Sequence, residues 1–120
     1  MSQRVLIVED DPEIRRLYAI GLNQRGFEVK LAANGAEAIE RIRCERPDVV
    51  LLDWMMPLMT GGEVLEHVDS SAPVQVIVIS GNAQPEGEVL DERIVIWLTK
   101  PVTLDQVIQQ IERPRAAGLG

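Results

Sequence analysis

The chain has one cysteine, Cys44, and one histidine, His67, so it can form no internal disulfide and has no Cys/His cluster of zinc-binding spacing. That usage predicts a reducing, cytoplasmic setting. Basic residues are outnumbered, 12 against 19 acids, and the net charge of −7 argues against direct contact with nucleic-acid phosphates. No apolar run approaches the roughly 18 residues of a membrane span, which predicts no membrane insertion. The start, Met1-Ser2-Gln3-Arg4, leads into only four apolar residues before acids appear, which is not the pattern of a secretory signal.

What is present is organised around Val49-Val50-Leu51-Leu52-Asp53-Trp54-Met55-Met56-Pro57. An apolar run of this length, bounded by a turn signal, reads as a strand buried on both faces, with Asp53 at its carboxyl end. Open α/β sheets place their ligand crevices at that edge. An isolated Asp there would most simply cap the next turn, so its meaning depends on what else the topology brings to the same edge.

The rest of the chain repeats a strand-then-helix alternation. Val5-Leu6-Ile7-Val8 is a first strand, ending in Glu9-Asp10-Asp11, and Asp11-Pro12 starts a helix with Ile14, Leu17, Tyr18, Gly21 and Leu22 on its inner face. Phe27 to Ala32 is a second strand, and Asn34-Gly35 opens a helix carrying Ala36, Ala38, Ile39 and Ile42. After Pro57 comes a short helix with Val64, Leu65 and Val68; Val74 to Ile79 is a fourth strand running into Ser80-Gly81-Asn82. Ile94 to Leu98 is a fifth buried strand, ending in Thr99-Lys100-Pro101, and a last helix begins at Thr103 or Asp105. Between them, over Ala83 to Arg93, Pro85 and Gly87 oppose a regular helix.

Together these predict a single α/β domain over residues 1–112, a five-stranded parallel sheet in a flavodoxin-like (βα)5 arrangement with helices on both faces. Its fourth helix is expected to be short or irregular, and residues 113–120 to form a linker or disordered tail.

Glu9, Asp10, Asp11, Asp53, Ser80 and Lys100 then share the carboxyl edge. Acids brought together there repel unless something positive compensates, and an oxygen cluster with open positions suits Mg²⁺. Lys100 adds a second positive charge and Ser80 a neutral hydroxyl. Such a set could surround a phosphoryl group in transfer to Asp53. Glu9 extends the acidic edge, while His67, on a short helix, is expected to face solvent without a catalytic role. Trp54 should lie near the pocket mouth, and Met55, Met56 and Met59 read as loop and core fillers.

With those residues in hand, the sequence resembles the receiver domain of two-component response regulators over about residues 4 to 112. The likeness lies in V-L-I-V-E-D-D-P, L-L-D-W-M-M-P-L-M-T-G, V-I-S-G and L-T-K-P, in the family's order. The resemblance implies that Asp10 and Asp11 hold Mg²⁺ with Asp53 and the main-chain carbonyl of Met55. Asp53 would accept phosphate from a histidine kinase or a histidine phosphotransfer protein. Ser80 and Lys100 would bond the phosphoryl group, Ser80 and Trp97 would move as the switch, and Pro101 would follow a cis peptide bond. The resemblance further implies a phosphorelay switch of protein contacts, acting on a downstream partner or attached output domain and catalysing only its own phosphorylation and dephosphorylation. Gly81 after Ser80, and the irregular segment behind it, resemble receivers attached to hybrid sensor kinases more than those of transcription factors.

Two other classes compete. A hydrolase with an Asp nucleophile would want a second Asp two positions on, where this chain has Met55. A receiver-like protein-binding module independent of phosphorylation would need none of the edge residues.

Overall fold

The central apolar run forms strand β3 (Val49–Asp53), in which all five residues are buried. It is flanked by β1 (Arg4–Val8) and β4 (Gln75–Ser80), with β2 (Glu28–Ala32) and β5 (Ile94–Thr99) at the edges. The order is β2-β1-β3-β4-β5 and every adjacent pair is parallel. The computed structural model describes residues 3–69, 73–84 and 91–113.

Parallel neighbours need crossover connections, and four helices among the described residues supply cover for the two faces. They are α1 (Pro12–Gln24), α2 (Gly35–Glu45), α3 (Gly61–Glu66) and α4 (Leu104–Glu112). Strand residues alternate between faces. Leu6, Val8, Val50, Leu52, Val76 and Val78 therefore share one core with the buried residues of α2 and α3. Val5, Ile7, Val49, Leu51, Ile77 and Ile79 share the other with those of α1 and α4.

Each helix starts on a side chain that accepts from its free amides, an arrangement worth about 1 kcal/mol per cap. Asp11 accepts from Glu13 and Ile14 at α1, and Asn34 from Glu37 at α2. Thr60 with Glu63, and Thr103 with Gln106, form reciprocal capping boxes at α3 and α4. Thr103 thus settles where the last helix begins. Gly21 is where α1 meets α4, since a Cβ there would fall within 3.0 Å of three Leu104 side-chain carbons.

Three expectations change. Leu17, assigned to the inner face of α1, is 56% exposed, because the buried stripe of that helix follows Tyr18, Gly21 and Leu22. Ala36 of α2 is likewise exposed, and the inner face is carried by Gly35, Ala38 and Ile42. The run Ile94 to Leu98 is only half-buried, since β5 is an edge strand whose pairing with β4 shifts register between Val76 and Ile77.

The expected fourth helix over Ala83 to Arg93 falls largely on residues 85–90, outside the described residues, as does the expected tail over 114–120. The lead into β5 is tied down. The Arg93 guanidinium bonds Asp91 and donates to the carbonyls of Leu65 (3.0 Å) and Asp69 (3.0 Å) at the end of α3.

Candidate phosphoryl and metal site

The carboxyl ends of β1, β3, β4 and β5 bring Glu9, Asp53, Ser80 and Lys100 to one edge, as parallel strands with short loops must. Asp53 pairs in register with Ile79, and Ser80 with Thr99, so the carboxylate, hydroxyl and lysine are one residue apart along adjacent strands. The Lys100 amide donates to the Ser80 carbonyl at 2.7 Å, and the Asn82 amide to Ser80 Oγ at 3.1 Å. The Lys100–Pro101 peptide is cis.

Asp53 is 2% exposed, with Lys100 Nζ 3.6 Å from its Oδ1 and the Met55 amide donating to the same oxygen at 3.3 Å. Burial pushes its carboxyl above the ordinary value, Lys100 opposes this, and a hydrogen bond with the Asp10 carboxyl adds to the rise. Glu9 is 3% exposed and is raised to about 7, first by burial and then by the charge of Asp53. The phenol of Tyr18, buried on α1, is raised by burial and by the charges of Glu9 and Asp53.

Carboxylate oxygens of Glu9, Asp10 and Asp53 lie within 4.8 Å of one another. Here the structure departs from the sequence reading, which gave Asp11 rather than Glu9 to this group. Asp11 Oδ1 is turned to the start of α1, 2.9 Å from the Glu13 amide and 3.3 Å from that of Ile14. Glu9 is held inward, accepting from the Asp11 amide at 3.2 Å, while Arg15 donates to its main-chain carbonyl at 2.8 Å. The Asp-Pro helix start was the signal in the sequence, because a carboxylate engaged with two amides faces the helix.

Three clustered carboxylates, two of them buried, with one ammonium nearby fit a hard divalent cation. Oxygen donors select Mg²⁺ over softer metals, and the cluster's excess negative charge is what such an ion would neutralise.

Around the site, Trp54 packs its ring over Gly61 and Gly62 at the start of α3. It meets Trp97 with ring centroids 5.0 Å apart, and Trp97 Nε1 donates to the Asn82 carbonyl at 2.9 Å. His67 is exposed, its Nδ1 2.8 Å from the Glu63 carbonyl. A cleft of about 560 Å³ lies at the opposite edge of the sheet between Ile42, Pro47, His67, Val68 and Val74, and Glu9, Asp53, Ser80 and Lys100 do not line it.

Residues 5–112 match the family described as the response regulator receiver domain. The response regulator MprA of Mycobacterium ulcerans (strain Agy99) is 33% identical over 114 residues, covering 92% of this chain and 49% of that protein. The chain spans about half the length of the curated relatives it matches. The CheY-like receiver domain protein of Methanospirillum hungatei JF-1 is similar with a TM-score of 0.83 at 31% identity, over 92% of this chain and 91% of that one. The response regulator TrrA of Thermotoga maritima, solved in complex with Mg(2+)-BeF, gives 0.79 at 25% identity over 91% and 96% of the two chains.

Proposed function

The chain belongs to the response regulator receiver domain family of two-component signalling, and on that premise we propose that Asp53 is its phosphoacceptor, charged by a phosphohistidine of a histidine kinase or phosphotransfer protein. The observation that carries this is the buried Asp53 carboxylate, 3.6 Å from Lys100 and clustered with two further acids.

The step is an in-line displacement. An Asp53 carboxylate oxygen forms a bond to phosphorus as the bond from phosphorus to the donor imidazole nitrogen breaks. The electron pair stays on that nitrogen, which takes up a proton, and an acyl phosphate is left on Asp53. Lys100 and the hydroxyl of Ser80 surround the phosphoryl oxygens, where charge is spread in the transition state. Lys100 also favours the ionised form of Asp53, opposing the burial that raises its proton affinity. Glu9, Asp10 and Asp53, with the Met55 carbonyl, would hold Mg²⁺, as the Mg(2+)-BeF complex of TrrA supports. When bound, the ion supplies positive charge shared between these acids and the phosphoryl oxygens.

Phosphorylation draws Ser80 toward Asp53, and the Ser80–Asn82–Trp97 contacts carry that movement to β5, shifting an equilibrium between two surfaces. The output is a change in protein contacts, to an attached domain or a separate partner.

The test is intact mass after incubation with acetyl phosphate. One added phosphoryl group with Mg²⁺, none with chelator and none in Asp53→Asn is the expected pattern. Labelling retained in Asp53→Asn sinks the assignment.

A further inference from the structure

The loop from β3 to α3 sorts its apolar residues in two directions. Met56 is buried, and Met59 packs into the core beside Gly35, where no Cβ stands in its way. Met55 is 55% exposed and Leu58 is wholly exposed.

Leu58 is the unusual one. The Met59 amide donates to the Pro57 carbonyl at 2.8 Å, closing a γ-turn around Leu58 at φ 69°. A γ-turn of that sign is strained for any residue with a Cβ, and glycine or asparagine would relieve it. The side chain gains no packing in return, since it projects wholly into water. The loop is nevertheless firmly held, because the Gly61 amide donates to the Trp54 carbonyl at 2.9 Å and Thr60 and Glu63 close the capping box behind it. A rigid loop therefore holds an apolar side chain in solvent through a strained turn, five residues after Asp53. Strain kept against packing marks functional surfaces.

We propose that Leu58, with Met55 exposed in the same loop, is an apolar anchor for the protein that delivers the phosphoryl group, a specificity contact for the transfer reaction. This rests on the reading of Asp53 as acceptor. Asp53 is almost wholly buried, so a donor imidazole must come down onto the carboxyl edge, and its carrier must then cover the loop that begins at Asp53. A small donor needs no such cover. Leu58 thus discriminates between protein and small-molecule donors.

The experiment compares wild type with Leu58→Gly and Leu58→Asn, both suited to positive φ. Acetyl phosphate is one donor. The other is the fastest-labelling member of a panel of autophosphorylated histidine kinases. Labelling by acetyl phosphate stays within twofold and the urea midpoint is unchanged or raised, while transfer from the kinase falls at least tenfold. Kinase transfer within twofold of wild type overturns the proposal, as does an equal loss with both donors. A panel in which no kinase labels a wild type that acetyl phosphate does label overturns it too. So does self-association of the wild type that Leu58→Gly abolishes, which would make a second copy the occupant. Failure of acetyl phosphate to label the wild type strikes the acceptor reading instead, and removes the basis of this proposal with it.

Discussion

Glu9→Gln should stabilise the metal-free protein, and the gain should grow with pH. The Glu9 carboxyl has its proton affinity raised from 4.5 to about 7 in the folded chain. Between those values the folded state keeps a proton that the unfolded state has released, so stability falls as pH rises through the window. Each tenfold change in proton affinity is worth about 1.4 kcal/mol. The penalty is then about 1 kcal/mol at pH 5.5 and about 3 kcal/mol at pH 8, where it has levelled off. Glutamine keeps the oxygen that accepts from the Asp11 amide, so the substitution removes the charge and leaves that hydrogen bond in place. Urea unfolding in chelator, followed by tryptophan fluorescence, should show Glu9→Gln gaining about 2 kcal/mol more over wild type at pH 8 than at pH 5.5. Mg²⁺ should close most of the gap by stabilising the wild type. A difference between variant and wild type that does not change with pH would refute the reasoning.

Arg93→Ala should destabilise the fold by about 2 kcal/mol, since it removes the ion pair with Asp91 and the guanidinium bonds to the carbonyls of Leu65 and Asp69. Arg93 holds the Asp91 carboxyl below its ordinary value. Stability from this pair is therefore present above pH 3.8, the ordinary Asp91 value, and lost as pH falls through the lowered one, a loss the alanine variant should not show in acid titration. Gly21→Ala should cost about 1–3 kcal/mol by forcing Leu104 off α1, whereas breaking the half-exposed Arg25–Glu112 pair should cost less than about 1 kcal/mol; urea midpoints distinguish the two.

The sheet was legible because five apolar runs alternate with helix starts, and that alternation permits few topologies. Asp53, Ser80 and Lys100 were legible as a set for the same reason, since strand ends converge wherever the strands are parallel. Glu9 was not. One residue of offset after a strand decides whether a side chain turns inward or caps the helix, and three consecutive acids offer no contrast in chemistry to fix it. Leu17 was misplaced because helical spacing gives the width of an apolar stripe but not which edge of it is covered. The edge position of β5 depends on strand order, which an apolar run does not encode. Arg93 reads in the sequence only as the end of an irregular segment, and its role emerges where the carbonyls of Leu65 and Asp69, more than 20 residues earlier, come within reach.

The most direct test of the central claim is to locate the phosphoryl group. After acetyl phosphate treatment with Mg²⁺, borohydride reduction converts an aspartyl phosphate to homoserine, which peptide mass spectrometry places within the sequence. The expected result is homoserine at position 53, and at no other acid. Homoserine at Asp10 or another aspartate, 5-hydroxynorvaline at Glu9, or unmodified Asp53 in a protein that carries the added mass, would contradict it.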